Sequence, residues 1–324
     1  MQYVIHEQEA KTRLPPQTTV ALKVFYLRTQ PVQPGHTETR QNIFRAMLRE
    51  INVYSHPRLS RHPNLVRLLF VGWWPNNTFP ALAIELGSYG SLDDAIKGSY
   101  FKPSILQRRH ITIDIAMGLY AIHSVDFLHG DLKPENVLLM FHKDPARGFT
   151  AKITDFGGSA GELTGKNSKP AYYTRLWAAP EVENHDIHLD WKKADVYSYG
   201  LLIGSLWASN GVEFFDQIRN KRSSCFLSNA IDPLFEGHEN AFLFLVKTWG
   251  EPCEPLSYLF SDLSSTDMDS TLQKEITELV EGPLQTYFWL RPSMEELLVH
   301  LASFASCTRR NILCVFFFCF FFFF

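Results

Sequence analysis

The stretch "HGDLKPENVLL", residues 129–139, places three polar side chains directly before an apolar run. Asp131, Lys133 and Asn136 lie within six residues, and the apolar run follows at 137–139. An aspartate can accept a hydroxyl proton, a lysine can reach a phosphoryl group, and an asparagine oxygen can bind a hard cation such as Mg²⁺. The apolar run predicts a buried strand that anchors the polar loop.

Two other short patterns carry charged side chains on apolar strands. "KITDFGGSA", residues 152–160, places Asp155 at the end of an apolar strand. "VALK", residues 20–23, ends in Lys23. A buried lysine is costly unless it is paired. We therefore expect Lys23 to form an ion pair with Glu50, which lies on a predicted amphipathic helix.

Composition narrows the class of protein. The chain has 324 residues, 45% of them hydrophobic, and a formal net charge of −3. It is long enough for one large domain or two small ones, and without a basic excess nucleic acid is not expected as a partner. None of the five cysteines forms a C-x-x-C pair, so neither a zinc site nor a disulfide framework is predicted. Glu7 and Glu9 argue against an export signal.

The order of predicted elements divides the chain into two parts. Before residue 87 the pattern is strand (18–27), helix (39–54) and two strands (within 63–74 and 79–86). A Gly/Ser link at residues 87–91 follows. The remainder is mainly helical, with predicted helices from 104, over 195–209, over 272–280 and over 293–304. This order favours two lobes around a cleft, where ligands commonly bind.

Several of these segments, taken in order, resemble the eukaryotic protein kinase family. The resemblance runs from about residue 18 to residue 304 in these segments: "VALK", "HPNLVRL", "LAIELGSYGSL", "HGDLKPEN", "TDFG", "TRLWAAPE", "DVYSYG" and "LRPSMEEL". It implies an α+β, bilobal protein kinase-like fold. Residues 1–86 would form a truncated, β-rich N-lobe and residues 87–305 the larger helical C-lobe. Residues 306–324, which are rich in phenylalanine, would lie outside the fold.

The resemblance assigns a role to each candidate site residue. Asp131 would be the catalytic base, Lys133 would stabilise the transferring phosphoryl group, and Thr174 would contact Asp131. Mg²⁺ would be held by Asn136 and Asp155. ATP would be bound by Ala21, Lys23, Glu50, Ile84, Glu85, Gly87, Ser91 and Leu138. Among these, Ala21 and Leu138 would sandwich the adenine beside the gatekeeper Ile84, the backbone of Glu85 and Gly87 would bond the purine edge, and Ser91 would contact the ribose.

Other residues of the resemblance have structural roles. Asp195 would cap the backbone of the catalytic loop, and Glu181 would pair with Arg291. A packed spine linking the lobes would contain Tyr54, Leu68, His129 and Phe156.

The chain departs from the family pattern at two places. Gly130 replaces an arginine that pairs with a phosphate on the activation loop, so we expect activity that does not need this phosphorylation. Modification of the segment stays open because it carries Ser159, Thr164, Ser168, Tyr172 and Tyr173. Residues 1–16 contain no glycine where the family has a glycine-rich loop over the phosphates. Either the chain starts late or it binds ATP weakly.

The function expected from these residues is ATP-dependent phosphorylation of serine or threonine in proteins. The sequence Lys133-Pro134-Glu135 resembles the serine/threonine branch. A pseudokinase that acts as a scaffold is the alternative, favoured by the missing glycine-rich loop. Transfer to a small molecule is a weaker third possibility, because the "APE" and "DVYSYG" contexts do not belong to it.

The last residues and the location of the protein are a separate question. Residues 312–324 are thirteen apolar residues, enough for about 20 Å of helix, which is short of a hydrocarbon core of about 30 Å. An adventitious tail is therefore favoured over a membrane anchor. The expected location is the cytoplasm or the nucleus, and the oligomeric state is left open.

Overall fold

The structure is a computed structural model that describes residues 19–25, 40–73, 79–98, 102–144, 147–161, 169–183, 190–207, 270–285 and 287–306. Residues 1–16, the predicted turn at 75–77 and the phenylalanine-rich residues 307–324 lie outside these ranges. So do Thr164 and Ser168 of the activation segment. The strands are β1 (Val20–Lys23), β2 (Leu68–Gly72), β3 (Ala81–Glu85), β4 (Val137–Phe141) and β5 (Phe149–Ile153). The helices are α1 (Arg40–Ser55), α2 (Leu92–Ile96), α3 (Ile105–His123), α4 (Pro180–Glu183), α5 (Trp191–Trp207), α6 (Ser270–Glu281) and α7 (Met294–Ser306).

The N-terminal part is a small antiparallel sheet with one helix. The three strands are ordered β1-β3-β2, and Ala21 pairs with Ile84 while Lys23 pairs with Leu82. Ile43, Met47 and other residues at helical spacing bury one face of α1. The predicted order of strand, helix, strand and strand is thus confirmed over the described residues.

The C-terminal part is built mainly on helices. Helix α3 begins with a capping box in which Ser104 accepts a hydrogen bond from the Gln107 amide. Helix α5 is buried from Ala194 to Trp207, as its nearly continuous apolar sequence predicts. Helix α5 begins at Trp191 rather than at residue 195, because Asp190 accepts a hydrogen bond from the Lys192 amide (3.1 Å) and closes an additional first turn.

A β-hairpin joins the two parts. Strands β4 and β5 pair antiparallel, with Val137 opposite Ile153, so the predicted strand after Asn136 is confirmed. The Val66 amide donates to the Ile153 carbonyl, and the Ile153 amide donates to the Asn64 carbonyl, both at 2.9 Å. These bonds attach the segment just before β2 to the end of β5, two residues before Asp155.

The order of a small sheet followed by helices confirms the predicted α+β class over the described residues. No helix in these ranges has both the length and the apolar character that crossing a bilayer requires.

Candidate active site

Three predicted residues form one hydrogen-bonded group: Asp131 and Lys133 of the catalytic loop and Thr174 of the activation segment. Lys133 Nζ donates to Asp131 Oδ2 at 2.8 Å and to Thr174 Oγ1 at 2.7 Å. The Thr174 amide donates to Asp131 Oδ1 at 2.7 Å. Both carboxylate oxygens of Asp131 therefore have fixed donors, and the side chain is held in one orientation beside a cationic amine.

A short 3₁₀ helix, Pro134–Asn136, turns Asn136 back toward the aspartate. Pro134 opens this turn, where its fixed φ and missing amide hydrogen cost nothing. The Asn136 side-chain nitrogen donates to the Asp131 carbonyl at 2.8 Å. Because the nitrogen is used in this way, the side-chain oxygen of Asn136 is the atom that remains for a cation.

Asp195 fixes the backbone of the two residues before Asp131 by hydrogen bonds. Its carboxylate accepts hydrogen bonds from the amides of His129 (2.8 Å) and Gly130 (2.9 Å) and from His123 Nε2 (2.9 Å). Burial alone would raise the pKa of Asp195, but the hydrogen bond and charge of His123, with His129 and the Gly130 amide, lower it below its usual value. The expected capping role is confirmed by these contacts.

Lys23 bridges two carboxylates from different parts of the chain. Its ammonium forms an ion pair with Glu50 of α1 and another with Asp155 Oδ1, at 2.7 Å. Lys23 exposes 3% of its side chain and Glu50 none. Burial raises the pKa of Glu50, and the attraction of Lys23 offsets only part of this rise. The Lys23–Glu50 pair predicted from the cost of burying a lysine is thus present.

Asp155 has a backbone conformation that is rare for residues other than glycine. Its φ of 63° places it in the left-handed region, and the following residues form the 3₁₀ helix Phe156–Gly158. Phe156 is buried and meets Tyr54 edge to face at 5.0 Å and His129 at 5.4 Å between ring centroids. The packing of this spine, with Leu68 against the same core, holds Asp155 at the cleft.

The residues expected around a purine line the link between the two parts. Ala21 and Leu138 are half-buried and pack against the main core, and Ile84 is buried in β3 opposite Ala21. A Cβ added at Gly87 would lie 3.3 Å from Leu138 Cβ, so the backbone of the link approaches β4 closely. Ala21 therefore lies beside Ile84 and Gly87 beside Leu138, while the contact of these residues with a nucleotide stays a prediction.

Two of the expected nucleotide residues already have side-chain partners. Ser91 caps α2: its hydroxyl donates to Asp94 Oδ2 at 2.7 Å and accepts from the Asp94 amide. The Glu85 carboxylate pairs with Arg67 Nε (2.9 Å) and Lys152 Nζ (2.7 Å). Because the Glu85 side chain is already paired, a contact of Glu85 with a nucleotide would have to use its backbone. A ribose contact by Ser91 would have to share the hydroxyl that caps α2.

Glu181 and Arg291 form the expected structural pair of the helical part. Arg291 Nη1 and Nη2 donate to Glu181 Oε1 (2.5 Å) and Oε2 (2.8 Å), and the Arg291 side chain is fully buried. A bidentate geometry of this kind makes a buried charge pair tolerable.

Tyr172 is a site residue that the sequence patterns do not identify. Its hydroxyl donates to Asp155 Oδ1 at 3.4 Å. Burial raises the pKa of Tyr172, and the negative charge of Asp155 raises it further, so the hydroxyl stays a donor. The only signal in the sequence was its place in the activation segment, two residues before Thr174.

A family model described as "Protein kinase domain" matches residues 15–301. The chain belongs to the protein kinase family. It is similar to calcium-dependent protein kinase 12 of Oryza sativa subsp. japonica, with 36% identity over 176 residues, which are 52% of this chain and 31% of the relative. It is also similar to receptor-interacting serine/threonine-protein kinase 3 of Rattus norvegicus, with 33% identity over 167 residues, which are 48% of this chain and 33% of the relative.

A third relative is the probable serine/threonine-protein kinase gdt8 of Dictyostelium discoideum, with 34% identity over 143 residues, which are 44% of this chain and 10% of the relative. The matched part therefore spans a tenth to a third of the length of these three proteins. The bilobal kinase fold expected from the motifs agrees with this membership and with the sheet and helical parts seen in the structure.

The donor set of this kinase site fits a magnesium nucleotide. The Asp155 carboxylate and the Asn136 side-chain oxygen are hard oxygen ligands of the kind that Mg²⁺ prefers. Lys23 lies 2.7 Å from Asp155, where an ammonium could also meet phosphate oxygens.

Proposed function

We propose that this chain is a protein kinase that transfers the γ-phosphate of ATP to serine or threonine hydroxyls of proteins, with Mg²⁺. The observation that carries this proposal is the group of Asp131, Lys133 and Thr174, held by three hydrogen bonds of 2.7–2.8 Å. Unlike the fully buried Arg291 of the structural pair with Glu181, the Lys133 ammonium stays partly exposed beside a carboxylate whose two oxygens are both held. Phosphoryl transfer needs that arrangement, because the reaction rests on positioning and charge compensation.

The residues divide the work as follows. Asp131 accepts the proton of the substrate hydroxyl as the hydroxyl oxygen bonds to the γ-phosphorus of ATP. The bond from that phosphorus to the oxygen bridging the β- and γ-phosphates breaks, and ADP leaves. Thr174 keeps the Asp131 carboxylate turned toward the substrate hydroxyl. Lys133 offsets negative charge on the transferring group. Lys23, oriented by Glu50, binds the phosphates of ATP. Bound to Asp155 and Asn136, Mg²⁺ would neutralise phosphate charge.

The choice of serine or threonine is supported by two observations. The catalytic loop reads Lys133-Pro134-Glu135, and Lys133 bonds to the hydroxyl of Thr174. The names of the relatives in rice, rat and Dictyostelium describe protein kinases, and two of them name serine/threonine as the specificity. Protein substrates, rather than nucleic acid, are the proposed partners.

The proposed location is the cytoplasm or the nucleus. If the full chain pellets with membranes and the chain without residues 312–324 does not, this location is wrong.

A scaffold without turnover is the second candidate. The observation that favours it is the contact of Tyr172 with Asp155, because this contact engages the carboxylate that would hold a catalytic cation. The intact Asp131 group favours the enzyme instead, since a scaffold does not require it.

A phosphoryl-transfer assay separates the two candidates. The full chain is incubated with Mg²⁺, labelled ATP and a protein mixture, and phosphoamino acids are then identified. We expect labelled serine and threonine with the native chain, a loss of about 10²-fold or more with Asp131→Asn, and no loss with Asp190→Asn, an exposed aspartate before α5. Equal labelling by the native chain and Asp131→Asn would refute the enzyme.

A further inference from the structure

The Tyr172 hydroxyl lies among the charged groups of the site. It donates to Asp155 Oδ1 at 3.4 Å, and Lys23 Nζ donates to the same oxygen at 2.7 Å. The Tyr172 residue as a whole exposes 36% of its surface, so the side chain enters the site from the solvent side. The hydroxyl end therefore reaches the carboxylate oxygen that a bound cation would use.

Two glycines make the space for this side chain. A Cβ added at Gly157 would lie 2.3 Å from the Tyr172 hydroxyl oxygen, which is closer than real Cβ contacts. A Cβ added at Gly158 would lie 3.4 Å from the Tyr172 ring and 3.0 Å from its carbonyl oxygen. Because residues 157 and 158 lack side chains, they form a seat that fits the tyrosine, and a side chain at residue 157 would displace its hydroxyl.

The backbone on either side of Tyr172 is attached to the catalytic machinery. The Ala171 amide donates to the Gly158 carbonyl at 3.1 Å, and the Thr174 amide donates to Asp131 Oδ1 at 2.7 Å. Gly130 has a φ of +81°, and a Cβ there would lie 2.8 Å from Pro170 Cβ. The glycine that replaces the family's arginine therefore lets the activation segment lie directly on the catalytic loop.

We propose that Tyr172 is an internal competitor of the magnesium nucleotide for Asp155. With its hydroxyl on Asp155 Oδ1 and its ring on Gly157 and Gly158, Tyr172 occupies a position beside the carboxylate that the cation would bind. An oxygen that accepts a phenol hydrogen offers fewer lone pairs to a cation, so the Tyr172 hydroxyl competes with Mg²⁺ for the Asp155 carboxylate. Binding of the magnesium nucleotide therefore requires that the tyrosine side chain leave its seat, which lowers the apparent affinity.

The inference rests on the proposed function, because it takes Asp155 as the cation ligand. Its test compares Mg·ATP dissociation constants of the native full chain, Tyr172→Phe and Tyr172→Ala by titration calorimetry. Tyr287→Phe, which removes an exposed hydroxyl remote in sequence, is the matched control. We expect Tyr172→Phe to bind Mg·ATP about 3-fold to 10-fold more tightly, the factor expected for loss of one competing hydrogen bond. We expect Tyr172→Ala to bind at least as tightly and Tyr287→Phe to bind like the native chain. In EDTA the gain should shrink.

A second measurement does not depend on substitution. Fluorotyrosine incorporated at residue 172 reports its surroundings by ¹⁹F NMR, and we expect its signal to move to a solvent-like position with Mg·ATP but not with ATP in EDTA. Two results would overturn the proposed competition while leaving the proposed function intact. One is equal affinity of the native chain and Tyr172→Phe for Mg·ATP, and the other is a ¹⁹F signal that does not move at saturation. Failure of all these chains to bind Mg·ATP would overturn both. Binding by the Tyr172 variants but not by the native chain would support the competition.

Discussion

Replacing Asp195 by alanine tests how the fold supports the catalytic loop. Asp195 exposes 3% of its surface and accepts three hydrogen bonds, from the amides of His129 and Gly130 and from the ring of His123. Asp195→Ala removes both acceptor oxygens and leaves the three donors without their carboxylate partner in a closed interior.

The size of the effect follows from these contacts. Each buried donor that loses its partner costs about 1–3 kcal/mol. His129 is fully buried, whereas Gly130 is only partly buried, so its amide can recover some hydration. We therefore expect Asp195→Ala to lower the free energy of unfolding by about 3–6 kcal/mol, a large share of the 5–15 kcal/mol of a typical domain. Asp195→Asn keeps one acceptor oxygen and should lose about half as much.

The assay is equilibrium unfolding in urea, followed by fluorescence. Asp190→Ala is the matched control, because Asp190 is exposed and accepts one backbone hydrogen bond at the start of α5, so its loss should cost about 1 kcal/mol. In folded preparations, Asp195→Asn should reduce phosphoryl transfer more than ATP affinity, since the His129 and Gly130 amides orient Asp131. A cost for Asp195→Ala no greater than that for Asp190→Ala would refute the reasoning.

Three further predictions concern stability. Burial, aided by Lys152, lowers the pKa of His62 to about 4, so the folded state favours neutral histidine; this stability is present above about pH 6.5 and lost as pH falls toward 4. The loss between about pH 7.5 and 4.5 should be about 2–3 kcal/mol in urea titrations, and markedly smaller in His62→Gln. Glu181→Ala should cost about 3–5 kcal/mol because it leaves buried Arg291 without its carboxylate, and an unchanged urea midpoint would contradict this. Phe156→Ala should cost about 3–5 kcal/mol through a cavity in the spine, and Phe156→Leu clearly less.

The parts of the site that the sequence predicts are those fixed by local spacing or by the cost of burying charge. Asp131, Lys133 and Asn136 share one short loop, so their proximity follows from their positions. Lys23 on an apolar strand needs a partner, and Glu50 was the acidic residue available on the amphipathic helix. In this structure Lys23 also contacts Asp155, a pairing across 132 residues that no local pattern encodes.

The features that the sequence did not predict depend on tertiary packing or on shared hydrogen bonds. Tyr172 reaches Asp155 because Gly157 and Gly158 leave room for it, and that room exists only once the chain has folded. Ser91 was assigned to a ribose, yet its spacing to Asp94 also encodes a helix cap, which the structure contains. The first turn of α5 was missed because Lys192 and Lys193 interrupt the apolar sequence there, although Asp190 is a common type of cap.

The central claim is that Asp155 and Lys23 form a magnesium–nucleotide pocket beside a separate catalytic carboxylate, Asp131. Titration calorimetry of ATP, with Mg²⁺ and with EDTA, tests it on the native chain, Asp155→Asn and Asp131→Asn. We predict magnesium-dependent binding of ATP by the native chain and similar binding by Asp131→Asn. Asp155→Asn should bind ATP at least about 10-fold more weakly than the native chain in Mg²⁺. Native-like binding by Asp155→Asn in Mg²⁺, or binding by the native chain that EDTA leaves unchanged, would contradict it.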